Sequence, residues 1–312
     1  MPPRLTIAIP LHRAERWVEN VCSVVEKAPE WSEVVVSDAT HEDDALDQLQ
    51  ARLGGDPRVV FRPRAERLDW REHCNLLLAE SESEYFCWMP QDDAVGPDDY
   101  FSLLVEALEG DPGAVLAFAP MSVPVRRGRG NPMRVRRNLH LPVPRSDVRR
   151  RETRSIDIKP PPTLALGKTS PEEEALLLLE HWPIGVAWRG VVRRSLARAI
   201  PANDSSDHTD SLWSFSIALA GRLACVEGTR YFKHYHETSA HQGFAPWAPW
   251  DQANLYRAEV EARLGAGSDR SEVVLAELEG FYRRRRWWRV KNAIGKIGDW
   301  IIDKPRIAVE RA

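Results

Sequence analysis

The sequence predicts an α/β fold: a mainly parallel sheet flanked by helices, followed by a helical C-terminal appendage. Three segments, Leu5–Ile9, Glu33–Ser37 and Tyr85–Met89, read as strands, and the last has the near-continuous hydrophobicity of a strand buried on both faces of a parallel sheet. Helix-compatible segments alternate with them, which is the rhythm of βαβ units. Each strand also runs into a segment that delivers polar groups to one edge: Pro10-Leu11-His12-Arg13 after the first, Asp38-Ala39-Thr40 after the second, Gln91-Asp92-Asp93 after the third. Sheets of this kind collect ligands at the carboxyl ends of their strands.

In chain order, helices are expected from Ala14 to Lys27, from Asp43 to Leu53 with acids in the first turn, and from Asp69 to Ala79. Asp98–Glu109 places Leu103, Leu104, Ala107 and Leu108 on one side of a helix, and Ala114–Ala119 reads as a further strand. Composition then changes abruptly. Val123 to Thr169 is rich in proline and arginine, with Arg126, Arg127 and Arg129 at its start and Arg149, Arg150 and Arg151 in its middle. It reads as a surface excursion, either a solvated loop or a flap recognising an anionic acceptor. Glu172–Glu180 resumes helix, and Gly185–Arg193 has strand character. Asp210–Ala220 reads as a buried helix ended by Gly221, and Leu223–Glu227 and Tyr231–Tyr235 as closing strands. Gln252–Leu264 and Ser271–Arg285 have helical spacing.

A chain of 312 residues with 43% apolar content supports one large domain, or a domain with an appendage. Its net charge of −3 makes no demand for nucleic acid. Cys22, Cys74, Cys87 and Cys225 lack metal-ligand spacing and read as reduced thiols. The start runs straight into a strand without an apolar signal region, and no stretch approaches the length of a membrane span. The expectation is a cytoplasmic protein, peripheral to the inner face of a membrane if its tail meets lipid.

Two carboxylates at the tip of a buried strand suit a hard divalent ion shared with a diphosphate, because such an ion takes few protein oxygens and completes its shell with phosphate. Paired acids after a strand also commonly cap the next helix, and on the residues alone the two readings stand level.

Ile7-Ala8-Ile9-Pro10, Val35-Val36-Ser37-Asp38-Ala39-Thr40, and Glu84 through Asp93 with the following Pro97 occur here in the order and spacing of a known pattern. The chain resembles the family 2 glycosyltransferases over roughly residues 4–120, and again near 205–240. The resemblance implies a GT-A-type, Rossmann-like domain over residues 1–244, with a nucleotide-sugar half to about residue 120 and an acceptor half from 121, then a basic helical region over 245–312. It implies inverting transfer from a nucleoside-diphosphate sugar to a hydroxyl of a saccharide, lipid-linked or other acceptor, assisted by Mg or Mn.

Carried over residue by residue, the resemblance makes Asp92 the metal ligand and Asp93 a contact of the donor sugar. Asp38 would hydrogen-bond the base, with Pro10, Leu11 and His12 cradling it through main-chain groups and Arg67 near the base and diphosphate. Asp210 takes the place of the catalytic base, with Asp207 its competitor and Thr209 where the family has Glu. His236 would approach the diphosphate or metal. Pro90 stands where the family often has the first Asp of Asp-x-Asp, which puts the ribose contacts in question. A nucleotidyltransferase is one alternative, although Pro10-Leu11-His12-Arg13 lacks the expected glycines. A non-catalytic nucleotide-sugar-binding or scaffold protein is another, and joint retention of Asp38, Asp92 and Asp210 argues against it.

Residues 283–306 hold nine Lys/Arg against two Asp, beside Trp287, Val290, Ile294, Ile297 and Ile301 at helical spacing. Such a helix suits peripheral contact with an anionic membrane. Docking on the chain's own core, or on a second copy as a homodimer, is the equal alternative.

Overall fold

The computed structural model describes residues 2–40, 43–124, 155–158, 170–180, 187–202, 209–233 and 253–283. The chain divides into two compact units, Met1–Pro249 and Trp250–Ala312.

In the first unit, β1 (Leu5–Leu11), β2 (Ser32–Asp38), β3 (Val59–Pro63) and β4 (Tyr85–Trp88) run parallel, joined in register through β1–β2, β2–β3 and β1–β4 ladders. Across both faces of these strands, Leu5, Ile7, Ile9, Val34, Val36, Phe86 and Cys87 have no exposed surface. Helix α1 (Val18–Glu26) buries Val18, Val21, Cys22 and Val25, the i, i+3, i+4, i+7 stripe of a helix packed on a sheet. The expected helix from Ala14 begins instead with a 3-10 turn over Glu15–Trp17, closed by Trp17 N–H donating to the Ala14 carbonyl at 2.7 Å. Helices α2 (Ala45–Leu53) and α3 (Trp70–Glu80) complete the first crossovers.

After β4 come β5 (Ala94–Gly96), α4 (Tyr100–Gly110), β6 (Ala114–Phe118), β7 (Met121–Pro124), β8 (Ser155–Ile158) and α5 (Pro171–Glu180). Then follow β9 (Val191–Arg193), α6 (Arg194–Ala199), α7 (Thr209–Ala220), β10 (Arg222–Cys225) and β11 (Arg230–Phe232). The main sheet is ordered β10-β6-β9-β4-β1-β2-β3, with β9 alone antiparallel to its neighbours β4 and β6. This is the mainly parallel, helix-flanked sheet expected from the sequence. A second sheet, β5-β11-β7-β8, was not foreseen. Of the expected strand Gly185–Arg193, residues 185 and 186 lie outside the described residues, Ala187–Arg189 forms a 3-10 turn, and strand covers Val191–Arg193. The Arg-rich excursion from Val123 to Thr169 begins in β7 and includes β8, which pair antiparallel; residues 125–154 and 159–169 lie outside the described residues.

The second unit holds α8 (Ala253–Leu264) and α9 (residues 269–283), with Tyr256, Val260, Val274, Leu278 and Phe281 buried. The turn between them uses Gly265 and Gly267 at φ 87° and 72°, a region that favours glycine. The basic tail beyond residue 283 lies outside the described residues. No described helix is long and apolar enough to cross a membrane.

Candidate functional site

The parallel strands β1, β2, β3 and β4 all deliver their carboxyl ends to one edge. Helix α3 ends just before β4 begins, and α7 ends one residue before β10 begins. Both helices therefore start at the same edge, which gathers the loops after β1, β2 and β4 with the N-terminal turns of α3 and α7.

The loop after β1 is braced by a residue the sequence reading did not single out. His12 N–H donates to Gln91 Oε1 at 2.7 Å, and Gln91 Nε2 donates back to the His12 carbonyl. One primary amide thus occupies both main-chain groups of His12, and its imidazole is exposed. Leu11 is buried, Pro10 half-buried, and Arg13 follows at φ 50°, uncommon for a residue with a side chain. Gln91 and Asp92 are the central residues of a turn closed by Asp93 N–H donating to the Pro90 carbonyl at 3.2 Å, and Asn20 Nδ2 on α1 holds the Asp92 carbonyl at 3.2 Å. Pro90, at the first acidic position of the family pattern, serves as the turn's acceptor. Gln91→Ala is expected to weaken nucleoside-diphosphate binding several-fold while costing about 1 kcal/mol of stability. Titration calorimetry and urea unfolding on the same samples separate the two effects.

Asp38 is buried at the tip of β2, and its Oδ1 accepts from Thr40 N–H at 2.8 Å and Thr40 Oγ1 at 2.9 Å. Beside it, Ser37 Oγ donates to the Arg62 carbonyl at 2.8 Å and accepts from Arg64 Nε at 3.0 Å. The buried His73 of α3 lies 2.9 Å from the same hydroxyl through Nε2. The hydroxyl's one proton is already given to Arg62, so His73 must be the Nε2–H donor. Burial, reinforced by the Arg64 charge, pushes the His73 imidazole down to about 4. An unfolded histidine titrates near 6.5, so between about 6.5 and 4 the unfolded chain binds the extra proton and native stability falls as pH falls. The urea midpoint of the wild type should drop across that window more steeply than that of His73→Gln, which keeps a donor to Ser37 but does not titrate.

The densest electrostatics lie around Asp93, whose side chain is 1% exposed. Its Oδ2 accepts from Arg189 Nε at 3.0 Å and from the Tyr231 hydroxyl. Burial, with the Asp93 charge, pushes the Tyr231 phenol well above its usual range, so it stays a neutral donor. The Arg189 side chain, 8% exposed, extends its Nη1 to 4.0 Å from Asp210 Oδ2 in the first turn of α7. Asp210 is itself 22% exposed and accepts from Ser211 Oγ through Oδ1 at 3.1 Å, while its carbonyl accepts from Ser214 Oγ at 2.6 Å. Lys233, at the end of β11, is buried within the field of Arg189, Asp93, Asp92 and Asp210, and burial followed by the Arg189 charge pushes its ammonium down. Gly190 lets this turn sit on the sheet: a Cβ there would meet the Ala117 carbonyl oxygen at 2.3 Å.

The structure thus brings Asp93 and Asp210 together through Arg189, with Asp92 beside Asp93. Asp38, Pro10, Leu11 and His12 lie along the same strand-end edge. Arg67 is exposed in the loop between β3 and α3. Asn75 of α3 clamps Ala202, donating to its carbonyl and accepting its N–H, each at 2.9 Å. His236 and Asp207 lie outside the described residues. Arg189, Tyr231, Lys233 and Gln91 were missed by sequence reasoning. An arginine within an apolar, Trp-containing segment was the one available signal.

Among the described residues, no cluster of three or more His, Cys, Asp or Glu side chains could hold a metal ion. One oxygen of Asp93 is already committed to Arg189 and Tyr231, and the Asp92–Asp93 pair offers hard oxygen donors alone, a chemistry that suits Mg or Mn.

Residues 6–171 match the family described as Glycosyl transferase family 2. No curated protein matches the sequence. Among solved structures, residues 1–349 of S. aureus TarS in complex with UDP-GlcNAc share 16% identity over 89% of this chain and 72% of that one, with a TM-score of 0.62. The same fragment crystallised alone gives 0.59 at 15% identity, covering 89% and 71%. The mannosyltransferase PcManGT from Pyrobaculum calidifontis, in complex with GDP-Man and Mn2+, shares 17% identity over 94% of this chain and 85% of that one, with a TM-score of 0.53.

Proposed function

The chain belongs to glycosyl transferase family 2, and on that premise we propose that it moves a sugar from a nucleoside-diphosphate sugar to an acceptor hydroxyl by a single inverting displacement. The observation that carries this reading is Arg189, which joins the acidic turn after β4 to the first turn of α7. A donor-side carboxylate and a candidate base are thereby held on one buried guanidinium.

In this reading Asp38 orients the base beside the preset loop Pro10-Leu11-His12. Asp92 would hold Mg or Mn on the diphosphate, and His236 is a candidate second ligand. The ion, when bound, offsets the charge that develops on the leaving diphosphate. Asp93, fixed by Arg189 and Tyr231, supports the donor sugar. Asp210 accepts the proton of the acceptor hydroxyl as its oxygen attacks the anomeric carbon from the face opposite the nucleotide. The fixed positive charge of Arg189 compensates the Asp93 and Asp210 carboxylates and holds both in place before the reaction begins. The acceptor is a saccharide, a lipid-linked species or another hydroxyl compound. If residues 283–306 lie on an anionic membrane, or pair with a second copy, the lipid-linked class gains support only in the first case.

The test is the stereochemistry of donor hydrolysis. UDP-, GDP- and dTDP-sugars are incubated with the protein and Mn2+, and proton NMR follows the first-formed anomer of the released sugar. Inversion is expected. First formation of the retained anomer would defeat the single displacement, and release of pyrophosphate from a nucleoside triphosphate plus sugar phosphate would point to nucleotidyl transfer.

A further inference from the structure

Among the described residues of the first unit, Trp70 is the one large apolar side chain left well exposed, at 40%. A single exposed apolar side chain is ordinary on a protein surface, so the place of Trp70 matters more than its exposure. Its position is fixed. Trp70 opens α3, directly after Asp69, whose side chain accepts from Arg71 N–H while Glu72 reaches back to the Asp69 main chain as a capping box. That start of α3 lies at the edge where the strands end.

Trp70 is also the outermost member of an aromatic cluster that leads into the site. It meets Trp188 edge-on, with centroids 6.2 Å apart at 75°. Trp188 stacks flat on Trp88 at 4.1 Å and 7°, and Trp213 packs edge-on against both at 5.0 and 5.1 Å. The inner rings are anchored by hydrogen bonds from Trp88 Nε1 to the Cys74 carbonyl at 2.9 Å and from Trp213 Nε1 to the Ile200 carbonyl at 2.8 Å. Trp188 immediately precedes Arg189, Trp213 lies three residues beyond Asp210, and Trp88 lies four before Asp92. The exposed indole is thus tied through rigid rings to the turn that carries Arg189 and the helix that carries Asp210.

We infer that Trp70, backed by Trp188, is a stacking platform for the apolar face of a pyranose ring. A sugar ring presents axial C–H groups on one face and hydroxyls around its edge. It pairs with an indole whose surroundings offer charged hydrogen-bonding groups, as the Asp69–Arg71 pair at 2.7 Å does here. The identity of the ring rests on the glycosyl-transfer reading. The ring belongs either to the donor or to the acceptor.

Saturation-transfer NMR tests this with methyl α-mannoside, methyl β-glucoside and methyl N-acetyl-β-glucosaminide at millimolar concentration, on wild type, Trp70→Ala and Trp70→Phe. At least one glycoside should receive saturation on one ring face, falling about fivefold or more in Trp70→Ala and persisting in Trp70→Phe. If Trp70→Ala lowers the unliganded melting temperature, Trp70→Leu, which keeps apolar bulk without the aromatic face, replaces it. Displacement of the glycoside by UDP-GlcNAc or GDP-mannose, but not by UDP or GDP, assigns the platform to the donor ring; retention assigns it to the acceptor. Absence of saturation from all three glycosides in the wild type, or its survival in Trp70→Ala, overturns the platform. Nucleotide-sugar thermal shifts on the same samples report separately on donor binding, so a wild type that ignores every nucleotide sugar would count against the glycosyl-transfer reading instead.

Discussion

Asp210→Asn is expected to slow transfer by about a hundredfold or more while donor affinity stays near the wild-type value, since removal of a positioned general base costs that much of the chemical step and little of the binding. The substitution keeps volume and leaves an oxygen within reach of Ser211, so α7 should hold its place. The neighbouring geometry gives the prediction its sharpness. Arg189 Nη1 lies 4.0 Å from Asp210 Oδ2, so the carboxylate that would take the proton is held beside a buried guanidinium. Donor affinity from calorimetry and turnover from nucleotide release, measured on the same preparation, decide the matter. A variant with near-normal turnover would move the role elsewhere, and Asp207→Asn is the direct comparison.

Arg189→Met should do the largest damage to the fold. The pair it forms with Asp93 is nearly inaccessible, with side chains 8% and 1% exposed, and breaking such a pair from one side strands a buried carboxylate. The expected cost is on the order of 3–5 kcal/mol. Replacing both partners, as Arg189→Met with Asp93→Leu, should recover only part of that loss, because the buried charges are gone but the buried Tyr231 hydroxyl loses its acceptor. Recovered stability without recovered turnover is the expected signature, since the positioning of Asp93 and Asp210 is gone. Urea unfolding of the two single variants and the double variant gives the coupling energy. A single variant as stable as the wild type would mean that the Asp93 charge is satisfied in some other way.

The sheet was legible because its central strands are buried on both faces. Leu5–Ile9 and Tyr85–Met89 therefore read as apolar runs, and the helices between them carry an apolar stripe on a polar background. What failed to show was local and short. Strand β3 lies at the sheet edge with every residue at least partly exposed, so Val59–Pro63 carries neither a continuous apolar run nor a clean alternation. In the second sheet β11 overlaps the expected strand Tyr231–Tyr235, whereas β5, β7 and β8 are three or four residues long, too few for a period to register. Strand β9 was overextended because apolar residues in a 3-10 turn look like strand residues.

The acids of the site were legible for a different reason: strand-end carboxylates stand out against an apolar background, and the family resemblance supplied their roles. Their partners were not. Arg189 finds Asp93 across 96 residues and Tyr231 finds it across 138, so no window along the chain contains the pair. Gln91 reaches His12 across 79 residues in the same way. Long-range polar pairing is set by the fold, and only the backbone's path reveals which arginine or amide of many is the one that closes the network.

The most direct measurement of the central claim is the melting temperature of wild type and Asp92→Asn with UDP and GDP, each with and without Mn2+. A ligand that binds the folded state alone raises the melting temperature in proportion to its occupancy. The wild type should show a metal-dependent rise with at least one nucleoside diphosphate. Asp92→Asn should melt like the wild type when unliganded and show no metal-dependent rise. Undiminished metal-dependent stabilisation of the variant, or none in the wild type with either nucleotide, would contradict the assignment of Asp92 to the diphosphate-bound ion.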